Sequence, residues 1–89
     1  MTKYAVNITK QAQKQLMKLP SVTKERVAEQ IYKLGQNPDS PSLDIKPLTN
    51  DTDATLRLRV GNYRVKFNRD DEIYIIEIIK VGHRKDIYK

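Results

Sequence analysis

The chain has 89 residues, 38% of them hydrophobic, which provides for one domain over residues 1–89 and one core that buries roughly 60% of the unfolded surface; a second domain is excluded. With no cysteine, disulfides, thiolate metal sites and a cysteine nucleophile are excluded, and the cytoplasm is the default compartment. Seventeen Lys and Arg against eleven Asp and Glu give a formal net charge of +6 and point to an anionic partner.

Met1-Thr2-Lys3-Tyr4 leads straight into alternating residues, with none of the apolar run of a signal peptide. From Lys3 to Ile8, Tyr4, Val6 and Ile8 alternate with Ala5 and Asn7, so the segment reads as a strand. Thr9 is a helix N-cap, and Ala12, Leu16 and Leu19 follow at helical spacing until Pro20 stops the helix. Ser21 caps a second helix carrying Val27, Ile31 and Leu34 on one stripe, which Gly35 and Asn37-Pro38 end. Both stripes are narrow, so the two helices form a hairpin that lays one face on a sheet, with Lys14, Lys18, Lys24 and Lys33 on the wet side. Residues 37–53 hold Pro38, Pro41, Pro47, Asn50 and aspartates with little periodicity, and read as an irregular connection pinned by Leu43, Ile45 and Leu48.

The last third reads as a meander. Leu56, Leu58 and Val60 point one way and Arg57 and Arg59 the other; Gly61-Asn62 suits a tight hairpin; Tyr63, Val65 and Phe67 continue the apolar face opposite Arg64 and Lys66. After a turn over Asn68-Arg69-Asp70-Asp71-Glu72, Ile73 to Val81 is apolar at almost every position, as in a central strand covered on both faces. That run contains Glu77 and Lys80 and is far shorter than the about 20 residues that span a bilayer, so no membrane association is expected. Gly82 ends it and His83 to Lys89 forms a short basic tail. The fold class is therefore α+β in the order β-α-α-β-β-β, a helical hairpin packed on a mainly antiparallel sheet.

Five of the six arginines lie between Thr55 and Lys89. If the helices cover the apolar side of the meander, then Arg57, Arg59, Arg64 and Lys66 share the other side. Guanidinium groups held so close are unfavourable unless an anion joins them, and their planar forks match phosphate. Arg84 stands where it can turn onto the same face, with Tyr88 four residues on. His83, the only histidine, suits a structural contact, and Asp70, Asp71 and Glu72 read as a solvated turn. No metal or nucleotide cofactor is expected.

Leu56-Arg57-Leu58-Arg59-Val60-Gly61-Asn62-Tyr63-Arg64-Val65, followed by Val81-Gly82-His83-Arg84-Lys85-Asp86-Ile87-Tyr88, resembles the RelE/ParE superfamily of type II toxins. The element order and Ile45-Lys46-Pro47-Leu48 are also similar, and the tail is most like the RelE branch. The resemblance implies a ribosome-dependent endoribonuclease that cuts mRNA in the ribosomal A site through the ribose 2′-hydroxyl. Its catalytic set would be Arg57, Arg64, Arg84 and Tyr88, with Arg59, Lys66 and Lys85 on RNA. Its partners would be mRNA, 16S rRNA and a RelB-like antitoxin. Thr55 stands where the family often has a lysine, so a proton-accepting role there does not carry over. The alternative within the superfamily is a ParE-like inhibitor of DNA gyrase that needs no cleavage chemistry.

Overall fold

The computed structural model describes residues 3–88; Met1, Thr2 and the final tail residue Lys89 lie outside the described residues. The elements are β1 (Ala5–Ile8), α1 (Lys10–Met17), α2 (Ser21–Gln36), β2 (Asp44–Pro47), β3 (Leu56–Val60), β4 (Tyr63–Asp70) and β5 (Ile75–His83). They form one sheet in the order β1-β5-β4-β3-β2, in which only the β1–β5 pairing is parallel. This is the α+β fold expected, a helical hairpin on a mainly antiparallel sheet, with one strand more than the sequence indicated.

The additional strand, β2, lies inside the segment expected to be irregular. It has four residues and pairs with β3 at the sheet edge, where Pro47, which has no N–H to offer, is tolerated. Its stability comes from β3, many residues away in sequence. Other boundaries also differ from expectation. The second helix takes Pro20, not Ser21, as N-cap, with no side-chain cap. It passes through Gly35 and ends at Gln36. Strand β4 runs on to Asp70, because Asp70 Oδ1 accepts the amides of Glu72 (2.9 Å) and Ile73 (3.3 Å) and moves the turn past it. The last strand therefore starts at Ile75 and continues to His83.

Thr9 caps α1 as expected: its Oγ1 accepts the Ala12 amide at 3.1 Å and donates to Ile79 O, which fixes the helix to β5. Ala12, Val27, Ile31 and Leu34 from the helices meet Leu58, Val60, Val65, Phe67, Ile76, Ile78 and Val81 from the sheet in one core. Gly61 adopts φ +59, the left-handed conformation that a tight hairpin needs at its first turn position.

A β-bulge decides which side of β5 faces the helices. Lys66 pairs with Lys80 but Phe67 pairs with Ile78, leaving Ile79 as the extra residue. Ile76 and Ile78 face the core before the bulge and Val81 after it. Unbroken alternation would have sent Lys80 inward and Val81 out. Strand β5 is interior to the sheet, flanked by β1 and β4, but the expectation that both its faces are covered is corrected: its other face carries Glu77 and Lys80. The tail returns to that open face. Asp86 N and Ile87 N both donate to His83 O, at 2.8 and 2.9 Å, and the turn lays Ile87, 3% exposed, on Gly82, where a Cβ would stand 3.1 Å from Ile87 Cδ1.

Candidate active site

Strand register arranges the open face in rows. Lys46, Arg57, Lys66 and Lys80 form one row across β2, β3, β4 and β5; Asp44, Arg59, Arg64 and Gly82 form the next. Cross-strand partners share a side, so the expected grouping of Arg57, Arg59, Arg64 and Lys66 is present. Lys46 and Lys80 join it. Neither was singled out from the sequence, because Lys46 sits on the strand that was not foreseen and Lys80 reaches this face only through the bulge.

The face differs from an open basic patch in one respect: the protein's own aspartates neutralise part of it. Arg57, with 13% of its side chain exposed, donates through Nη1 to Asp44 O (3.0 Å) and Asp44 Oδ1 (3.1 Å). Lys66 is only 3% exposed, and its ammonium lies 2.6 Å from Asp51 Oδ2 and 4.0 Å from Asp53. Lys80 meets Asp53 Oδ2 at 3.4 Å. The hydrogen bond from Lys66 holds the Asp51 carboxyl at about 2, well below its usual value, aided by the Ala54 and Asp53 amides. Arg57 likewise lowers Asp44. All three aspartates come from the stretch read as an irregular connection, which closes over one half of the row. Lys66, expected as an RNA contact on an open surface, is thus a buried and paired cation.

The other half stays open. Arg59, directly opposite Arg64 in register, has only a loose contact to Asp44 at 3.9 Å. Arg64 uses Nη1 to donate to Gly61 O and Tyr63 O, both at 3.0 Å, so carbonyls orient it and no carboxylate among the described residues neutralises it. Arg84 N donates to Asn62 O at 2.8 Å, which brings the tail to the same hairpin turn. The Arg84 and Lys85 side chains are exposed, with no ion pair among the described residues. Tyr88, 52% exposed, places its ring 5.3 Å from Lys66 Nζ, beside a cleft of about 210 Å³ lined by Asp51, Asp53, Lys66 and Lys80. The structure therefore brings Arg59, Arg64 and Arg84 to the hairpin end, and sets Arg57, Lys66 and Tyr88 toward the aspartate loop.

His83 has a structural place: Nδ1 accepts the Lys85 amide at 3.1 Å and the ring meets Tyr63 edge-on at 5.4 Å. Thr55 is also committed, its amide and Oγ1 both donating to Asn68 Oδ1, at 2.8 and 2.9 Å. Arg69 lies on the opposite side, bound to Asp39, Asp71 and Tyr4, where it ties the start of β1 to the β4 end. Among the described residues, no three His, Asp or Glu side chains converge as metal ligands, and no helix is long and apolar enough to cross a membrane.

Residues 6–88 match the family described as the ParE toxin of the type II toxin–antitoxin system parDE. Toxin RelG of Mycobacterium tuberculosis is 35% identical over 86 residues, 97% of each chain. The chain is a type II toxin of the RelE/ParE superfamily. The toxin's fold agrees with that assignment. It is similar to the crystal structure of the RelBE2 toxin–antitoxin complex of Mycobacterium tuberculosis, with TM-score 0.80, 33% identity and 97% of both chains covered. It is similar also to the archaeal RelE–RelB complex of Pyrococcus horikoshii, with TM-score 0.78, 30% identity, and 96% of the toxin and 99% of that chain covered.

Proposed function

We propose that this toxin is a ribosome-dependent mRNA endoribonuclease that cleaves translated message in the A site and so inhibits translation. The observation that carries the reading is the set of arginines at the hairpin end: Arg59 and Arg64 opposite one another, Arg84 fixed to Asn62 through its amide, and none held by a short carboxylate contact among the described residues. The similarity to RelG and RelE toxins adds to it.

In this chemistry the RNA supplies its own nucleophile. The ribose 2′-hydroxyl attacks the adjacent phosphorus, a bond to the 2′-oxygen forms, the bond to the 5′-oxygen breaks, and a 2′,3′-cyclic phosphate remains. The protein positions the step in line and stabilises the charge building on the phosphorane oxygens. A well-placed donor contributes ~3 kcal/mol to such a step by analogy with oxyanion sites. Arg64 suits that role, since its Nη1 is anchored on carbonyls while Nη2 and Nε have no hydrogen-bond partner among the described residues. Arg84 supplies a second fork, and Arg57, paired with Asp44, borders the set and reaches phosphate only by leaving that carboxylate. Guanidinium groups stay protonated, so the proton acceptor lies outside this set. Tyr88 is the candidate donor to the leaving 5′-oxygen.

Primer extension on translated messages after induction is the test in cells. New A-site cleavages that vanish in the Arg64→Ala/Arg84→Ala variant support the reading; growth arrest with intact messages sinks it. One observation favours a second reading, inhibition of DNA gyrase by binding, namely the match to the ParE toxin family. Loss of supercoiling with purified gyrase and the toxin, without RNA cleavage, would establish that reading instead. Under either, a RelB-like antitoxin is the partner, with an acidic segment that covers the open cations or displaces the Arg84–Tyr88 tail.

A further inference from the structure

Five of the six arginines lie in the last third of the chain, and the sixth, Arg26, lies in α2. The fold takes it to the same place. Both Nη atoms of Arg26 stand 3.9 Å from where a Cβ on Gly61 would be, so its guanidinium sits against the β3–β4 hairpin turn. Two clefts of about 240 and 120 Å³ open between α2 and this turn; Arg26 lines both, with Arg59 in the first and Asn62 and Tyr63 in the second. Glu29, the carboxylate that also lines the larger cleft, is engaged by Lys33 at 3.5 Å. No salt bridge holds Arg26 among the described residues.

A cation locked to a carboxylate must break that pair before it can take a phosphate; an arginine held by none need not. By that criterion the arginines with no short carboxylate contact among the described residues are not spread over the open face. They are collected around Gly61-Asn62, where α2 contributes Arg26, β3 Arg59, β4 Arg64 and the tail Arg84. We propose that Arg26 is a binding residue for the ribose-phosphate backbone of RNA, continuing the track of Arg59 and Arg64 around the hairpin onto the helical side, beyond the cleaved step. This rests on the RNA reading of the toxin. The phosphates belong either to the flanking message or to ribosomal RNA, and the two sources separate experimentally.

The test uses the full-length toxin with two probes, a fluorescein-labelled single-stranded 12-nucleotide RNA and vacant small ribosomal subunits, each titrated across a salt series. Arg26→Ala should weaken binding by about 3- to 10-fold and lower the slope of log K against log salt by about 0.7, as for one lost single-strand phosphate contact. Arg26→Lys should restore the slope, because it keeps the charge. Lys14→Ala, an exposed change on the other helix, should leave affinity and slope as they are. A loss seen with the 12-mer assigns the contact to the message, and a loss confined to the subunit assigns it to ribosomal RNA; either supports the proposal. If Arg26→Ala matches the wild type with both probes while Arg64→Ala does not, the Arg26 proposal is overturned and the RNA reading stands. If the wild type binds neither probe, both fall.

Discussion

Replacing Asp51 by Asn should cost this small domain about 3 kcal/mol. The magnitude follows from Lys66, which is 3% exposed and lies 2.6 Å from Asp51 Oδ2. Asn keeps an oxygen to accept the Asp53 and Ala54 amides, at 2.8 and 3.0 Å, so the loop retains its local hydrogen bonds, while the charge and the Oδ2 acceptor of Lys66 are lost. Removing one partner of a buried pair costs roughly 3–5 kcal/mol, because the remaining charge is left uncompensated. Asp53, 4.0 Å from Lys66 Nζ, places the value at the lower end. For a domain of this size each kcal/mol shifts Tm by about 4–8 °C, so thermal unfolding by circular dichroism should show a fall of roughly 12–24 °C. Asp51→Asn/Lys66→Met removes both charges and should recover at least half of it. A single-variant loss below about 1 kcal/mol, or no recovery in the double variant, would refute the buried-pair reasoning.

The same pair sets an acid response. Asp51 is lowered to about 2 from a usual value of 3.8, so its contribution is complete above 3.8 and disappears as pH falls toward 2, where the unfolded chain binds the extra proton. Urea midpoints measured from pH 5 to 2 should therefore show wild type and Asp51→Asn converging by on the order of 2 kcal/mol; parallel curves would count against it. Thr9→Ala loses the Ala12 cap and the bond to Ile79 O, and should lower unfolding free energy by about 1–2 kcal/mol in a denaturant titration. Gly82→Ala puts a Cβ 3.1 Å from Ile87 Cδ1, which should lift the tail, draw Tyr88 from Lys66 and reduce activity more than stability. Faster proteolysis of the tail in this variant is the expected readout, and an unchanged tail would show that Ile87 gives way.

What could be read from the sequence was what local chemistry decides. The Thr9 cap involves residues three apart, and the alternation of Leu56, Leu58 and Val60 with Arg57 and Arg59 places the arginines on one side whatever the neighbouring strands do. The bulge at Ile79 could not be read, because a run apolar at almost every position carries little phase to show where alternation slips; the side that Lys80 takes was hidden with it. Strand β2 was hidden for another reason. Its four residues acquire extended structure only by pairing with β3, so its proline and aspartate looked like loop punctuation. The neutralisation of Arg57 and Lys66 by Asp44 and Asp51, and the arrival of Arg26 at the hairpin, depend on segments far apart in the chain. Local patterns hold no record of them.

The most direct measurement of the central claim is cleavage of a defined message on purified ribosomes with a single codon placed in the A site, compared with the same RNA free in solution. The account predicts a cut within the A-site codon only on the ribosome, leaving a 2′,3′-cyclic phosphate, and a rate at least 100-fold lower for Arg64→Ala/Arg84→Ala, as for loss of a transition-state donor worth about 3 kcal/mol. An intact message on the ribosome, or equal cleavage by the double variant, would contradict it.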